Sequence, residues 1–266
     1  MSRAKQPRAP LTHFLCLPLV TSESRPQLQE SLQQFSADIL TSGSDGRGII
    51  PEKAIRPVDT LHLTLGVMSL REPEKLERAQ KLLQTIDPQS FLQMASMATA
   101  EQGTLPSQVP KEGAPLTISL ESVVSMHPPA STSILYTTPV DTTNRLGPFC
   151  QLLRDAFQKE GLVEEDGRPL LLHATILNTT YASERGTNNR RARGKVMRGG
   201  GKHGSVAGKI TFDASEIMSR YEDFLFVKDM RVGDIAICRM GAKRIVDEGT
   251  GSTTEEYEVV DKISLP

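Results

Sequence analysis

Three cysteines, Cys16, Cys150 and Cys238, are odd in number and far apart, which argues against a disulfide framework and against Cys-x-x-Cys metal or redox sites. A reducing compartment inside the cell, cytoplasmic or nuclear, is the expectation. No stretch approaches the roughly 20 apolar residues that a membrane-spanning helix needs, so no membrane partner is expected. The formal net charge is −1, from 31 Lys and Arg against 32 Asp and Glu, so any case for nucleic acid must come from local clusters. Familiar chemical signatures are missing too. There is no Gly-x4-Gly-Lys-Ser/Thr phosphate loop, no His-Glu-x-x-His, no Gly-x-Ser-x-Gly and no calcium-loop pattern. Asp45-Gly46-Arg47-Gly48 and Gly199-Gly200-Gly201-Lys202 have neither the spacing nor a following helix. The N-terminus carries Arg3, Lys5 and Arg8 without an apolar run of signal-peptide length, so residues 1–11 read as a disordered basic leader.

What is present is a five-residue pattern that occurs twice. Leu61-His62-Leu63-Thr64-Leu65 and Leu172-His173-Ala174-Thr175-Ile176 both read apolar, His, apolar, Thr, apolar. Side chains alternate faces along a strand, so in each copy His and Thr point one way and the apolar residues point into a core. One copy alone reads as a hydrogen-bonded His in a half-buried strand; two copies among five His make a shared site the better reading. Lys202-His203-Gly204-Ser205 also has a hydroxyl two after His, but no strand pattern surrounds it.

The chain of 266 residues, 38% apolar and 24% charged, suits one large domain or two small lobes. Phe14 to Val20 predicts a strand. Pro26 opens a helix with its apolar stripe at Leu28, Leu32, Phe35 and Ile39. Thr41 to Pro51 predicts a loop, and the His62 strand follows. Pro73 to Ile86 repeats helical spacing through Leu76, Ala79, Leu83 and Ile86. Gly103 to Pro115 is the candidate lobe boundary, after which Leu116, Ile118 and Leu120 alternate with polar residues as in a sheet with one solvated face. The second half echoes the first. Pro139-Val140 closes a strand as Pro18-Leu19 does, and Phe149, Leu153 and Ala156 take the places of Leu28, Leu32 and Phe35, with Gly161 as helix stop. Strand, helix and His-bearing strand thus occur twice in one order, which would let a pseudo-twofold axis bring His62 and His173 face to face.

Arg185 to Phe212 holds eight Lys or Arg and seven Gly in 28 residues with no acid. This basic segment, about 183–209, reads as a solvated loop, or as an electrostatic arm for a phosphate backbone or nuclear import. Asp213 and Glu216 predict a capping box for a helix through Ile217, Tyr221 and Phe224. Gly233 to Met240 and Glu256 to Leu265 predict closing strands.

If the two His strands converge, one imidazole can act as base and its partner as acid near neutral pH. Displacement at phosphorus needs attacking and leaving oxygens roughly in line, which such a pair flanks, and the two Thr hydroxyls can donate to the non-bridging oxygens. No metal is required, and two His on separate strands without a neighbouring carboxylate or Cys in motif spacing make a poor ligand set.

His62-Leu63-Thr64-Leu65 and His173-Ala174-Thr175-Ile176 resemble the two signature motifs of the 2H phosphoesterase superfamily. Thr12-His13-Phe14-Leu15-Cys16-Leu17-Pro18-Leu19, Leu61 to Met68, Phe157-Gln158-Lys159-Glu160-Gly161-Leu162 and Ile235-Ala236-Ile237-Cys238-Arg239-Met240 narrow the likeness. They resemble the 2′,5′-RNA-ligase-like domain of A-kinase anchoring protein 7, and are similar to that of activating signal cointegrator 1 complex subunit 1. The resemblance implies a bilobal α+β fold over residues 12–266, with two antiparallel sheets around a central cleft. It implies His62 and His173 as the catalytic pair and Thr64 and Thr175 as phosphate ligands; no cofactor is expected. A kinase-anchoring C-terminal helix and an RNA-binding KH domain are not seen, so those partnerships are not carried over. The expected function is metal-independent hydrolysis of RNA or oligonucleotide phosphodiesters: 2′,3′-cyclic phosphates, 2′,5′ linkages or RNA 3′ ends. The substrate is then the expected partner of a monomeric chain. The other reading is a catalytically silent RNA- or nucleotide-binding module. Which His is acid and which is base stays open, and Tyr136 and Tyr181 read as stacking platforms or as core or rim aromatics.

Overall fold

The computed structural model describes residues 9–42, 50–101, 113–165, 167–182, 210–246 and 253–266. Residues 43–49 of the loop expected at Thr41 to Pro51, most of the proposed lobe boundary and the whole 183–209 basic segment lie outside the described residues.

Two four-stranded sheets carry the architecture. In chain order the elements are β1 (His13–Pro18), α1 (Arg25–Ser42), β2 (His62–Met68), α2 (Pro73–Thr85), α3 (Pro88–Glu101), β3 (Thr117–Ser125), β4 (Ile134–Val140) and α4 (Leu146–Lys159). There follow β5 (Ala174–Asn178), α5 (Ser215–Arg220), β6 (Leu225–Arg231), β7 (Asp234–Arg239), β8 (Lys243–Val246), β9 (Thr253–Glu256) and β10 (Val259–Ser264). One sheet has the order β10-β7-β1-β2 and the other β5-β4-β3-β6, all pairings antiparallel, while β8 and β9 form a separate hairpin. Read backwards, the second sheet is β6-β3-β4-β5, the same layout as the first. Within it β4-α4-β5 repeats β1-α1-β2, so the internal duplication read from the sequence is present in the topology.

The helices form where apolar spacing demands it. In α1 the stripe Leu28, Leu32, Phe35 and Ile39 is buried, and the Phe35 ring meets Tyr221 and Phe226 edge-on at 5.2 and 5.9 Å. Burying such a ring contributes about 1.5–3 kcal/mol. In α4 the buried face is Leu146, Phe149, Leu153 and Phe157, so the stripe passes through Phe157 rather than Ala156, which is only half-buried. The Asp141 carboxylate accepts from the Arg145 and Leu146 amides at 2.6 and 2.8 Å at the start of α4, satisfying donors that a helix start leaves unpaired. At its other end Gly161 takes a left-handed φ of +66° and donates to the Gln158 carbonyl at 2.8 Å, the helix stop expected of it.

Three features depart from the sequence reading. Helix α3 follows α2 almost at once, with Asp87 between them accepting from the Gln89 amide and the Ser90 hydroxyl; the prediction had no helix there. Helix α5 ends at Arg220, so Tyr221 and Phe224 lie beyond it. Asp213 accepts from the Ser215 amide at 2.9 Å as a cap should, but Glu216 pairs with Arg220 instead of closing a capping box. Strand β6 and the β8–β9 hairpin complete the set the sequence did not show.

One continuous hydrophobic core runs through both sheets, from Leu15 and Leu63 on one side to Leu135 and Leu177 on the other. The lobes are also joined through the main chain. Ile55 forms a β-bridge with Leu177, and the Arg56 amide donates to the Ile176 carbonyl at 2.8 Å. The segment leading into the first His strand is therefore sewn to the second.

Candidate active site

His62 opens β2 after a tight 3₁₀ turn at Val58–Thr60, and His173 stands immediately before β5. Both imidazoles are held in the same way. The His62 Nδ1 lies 2.7 Å from the Thr60 carbonyl, and the His173 Nδ1 lies 2.9 Å from the Leu171 carbonyl. A carbonyl can only accept, so each Nδ1 carries the hydrogen and each Nε2 is the nitrogen left for chemistry. Apolar neighbours in both motifs, Leu61, Leu63, Leu65, Ala174 and Ile176, are buried, while His62, Thr64, His173 and Thr175 keep partial exposure on the opposite face. Strand alternation predicted this division.

An aromatic ring from the next strand packs against each imidazole. Phe14 of β1 lies 4.8 Å from His62 at a 35° tilt, and Tyr136 of β4 lies 5.2 Å from His173, edge-on at 65°. Tyr136 is thus a core aromatic that buttresses a motif residue. Tyr257 completes a three-ring cluster, meeting His62 edge-on at 5.2 Å and Phe14 at 5.0 Å. Thr64 stands opposite Cys16 of β1, and Thr175 opposite Tyr136 of β4.

Strands β2 and β5 lie in contact, and the electrostatics register the proximity of their motifs. Burial is the main cause that lowers the His62 pKa from 6.5 to about 4; the Thr60 carbonyl opposes it, and positive charge on His173 and Arg56 adds to it. The pair therefore disfavours double protonation. Arg56 was not among the residues singled out from the sequence, nor were Phe14 and Tyr257. Arg56 is buried, its guanidinium lies over the Tyr181 ring at 3.8 Å, and it hydrogen-bonds with Tyr257. Burial and a hydrogen bond to Tyr181 raise the Tyr257 phenol above its usual range. Tyr181, expected as a stacking platform or a rim residue, is 51% exposed. Among the described residues no three His, Cys, Asp or Glu side chains converge in a way that could hold a metal ion, and no helix is long and apolar enough to cross a membrane.

The low pKa of His62 has a consequence for stability. Its folded value lies below the unfolded one, so as pH falls the unfolded chain takes up a proton first and stability is lost between about 6.5 and 4. His62→Gln should escape about 2 to 3 kcal/mol of that loss. Urea unfolding of both proteins at pH 7 and pH 4 checks it; parallel losses would contradict it.

The family model for the AKAP7 2′5′ RNA ligase-like domain matches residues 11–265. The chain belongs to this family. Activating signal cointegrator 1 complex subunit 1 of Mus musculus is 25% identical over 222 residues, 82% of this chain and 55% of the mouse protein, so the chain spans about half the length of that relative. An uncharacterized protein of Schizosaccharomyces pombe is 25% identical over 236 residues, 88% of this chain and 89% of the yeast protein. Similar solved structures include E. coli LigT complexed with NADP+, at 16% identity and a TM-score of 0.45, covering 97% of this chain and 99% of LigT. A second, described as a phosphoesterase, has the same identity and TM-score with coverage of 96% and 98%. Both His-x-Thr motifs lie within the matched span.

Proposed function

We propose that this AKAP7-like domain is a metal-independent phosphodiesterase acting on RNA or oligonucleotide phosphodiesters, with a 2′,3′-cyclic phosphate, a 2′,5′ linkage or an RNA 3′ end at the reacting position. One observation carries the reading: two imidazoles from duplicated strands, each pinned through Nδ1 by the carbonyl two residues before it, with one of them strongly disposed to stay neutral. His62 then serves as the base. Its Nε2 takes the proton of the attacking water while His173 gives its Nε2 proton to the leaving oxygen, and solvent exchange resets both. Thr64 and Thr175 donate to the non-bridging oxygens as charge builds on them. A phosphodiester anion bound between the imidazoles pulls the His62 pKa back up, toward values where a base works well near neutrality. The chain works as a monomer, its partner the nucleic acid or nucleotide substrate, in the cytoplasm or nucleus.

The test is turnover of a panel containing 2′,3′-cyclic nucleotides, 2′,5′-oligoadenylate and 3′-tailed RNA, with chelator present throughout. Hydrolysis of at least one is expected. Binding of the panel without turnover of any would overturn the enzyme in favour of a silent binding module.

A further inference from the structure

Among the described residues four buried polar side-chain atoms lack a hydrogen-bond partner: His13 Nε2, Arg56 Nη2, Ser133 Oγ and Thr137 Oγ1. Only Arg56 carries a permanent charge, and a buried guanidinium hydrogen left unmet is costly. Its side chain is 4% exposed, so water does not settle the account. Its position is central. The main-chain amide is bonded to Ile176, the neighbour of Thr175, and its charge is felt at His62.

Tyr181 covers the flat face of the guanidinium at 3.8 Å, which occupies the face but not the in-plane donors. One hydrogen goes to Tyr257. Nη1 lies 4.0 Å from the half-exposed Glu255 carboxylate, beyond hydrogen-bond reach. Nη2 makes no hydrogen bond, while the positive charge of the group lowers the His62 pKa. An arginine kept only to lock the lobes together would be expected to spend these donors on protein acceptors, as Arg145 does on the Ala114 and Pro115 carbonyls and on Thr143.

We propose that Arg56 is a further substrate-binding residue, whose Nη2 donates to a non-bridging oxygen of the phosphoryl group held between His62 and His173. The inference rests on the phosphodiesterase reading for the identity of that group, and its test is separable from it. Inorganic phosphate is the probe, titrated by NMR or calorimetry into the full chain. Arg56→Gln should weaken phosphate binding by about 10- to 100-fold, the worth of a charge-assisted hydrogen bond, with thermal stability held or raised. Arg56→Lys, which keeps the charge but not the fork, should recover part of that affinity. Unchanged phosphate affinity in Arg56→Gln, with a lowered Tm, would make Arg56 a structural tie and overturn the proposal. Should Arg56→Gln fail to fold, Arg56→Lys decides, since phosphate affinity equal to that of the unaltered protein would overturn it. Turnover with unaffected phosphate binding in these variants sinks the role of Arg56 alone. Absence of all turnover, with phosphate binding that depends on Arg56, sinks only the hydrolytic reading.

Discussion

His62→Ala and His173→Ala are each expected to lower kcat by about 10²- to 10⁴-fold, the usual worth of positioned general acid–base catalysis. Under the proposed mechanism each change removes the proton carrier on one side of the phosphorus atom. The double variant should lose little more than the worse single, because base and acid act in one step and their effects do not add. Folding should survive. Each imidazole makes one main-chain hydrogen bond at the partly exposed mouth of its strand, and the continuous core lies on the opposite face. Steady-state kinetics in chelator, with circular dichroism as the control, checks this. Full activity in a folded double variant would end the two-histidine mechanism.

The second large effect is expected at the hydroxyls. Thr64→Val and Thr175→Val replace an OH by a methyl group of similar shape, and valine suits a strand at least as well as threonine. Losing one donor to an oxyanion typically costs about 10²- to 10³-fold, and that loss should appear in kcat/KM for each variant. The His62 titration should stay where it is, because burial and the Thr60 carbonyl set it. A hydroxyl that merely caps a strand would give an unchanged kcat/KM, and that result would remove the threonines from the site.

The parts of this fold that announce themselves in the sequence are those whose cause is local. The stripe from Leu28 to Ile39, the alternation of Leu116, Ile118 and Leu120, the stop at Gly161 and the two His-x-Thr strands all follow from periodicity or from one residue's backbone freedom. Helix α3 escaped because its buried face is thin: Leu92 and Ala95 are buried while Met94 and Met97 stand exposed. Tyr221 was placed in a helix because its spacing from Ile217 is helical; the core then claimed its ring against Phe35 while the chain turned. Arg56, Tyr257 and Phe14 were illegible as site residues for another reason. Each acquires its meaning from a partner far along the chain: Arg56 from Tyr181, Tyr257 and Phe14 from His62. No pattern within reach of any one of them encodes that meeting.

The main-chain bridge between Ile55 and Leu177, with the Arg56 amide on the Ile176 carbonyl beside it, fixes more than a lobe contact. Backbone atoms, common to every residue type, tie the approach to the first motif strand to the second, and both strands rest on one core. A joint made of main chain tolerates substitution at its own positions, so under the proposed function any difference in substrate choice between related chains should arise from side chains around the motifs and not from this joint.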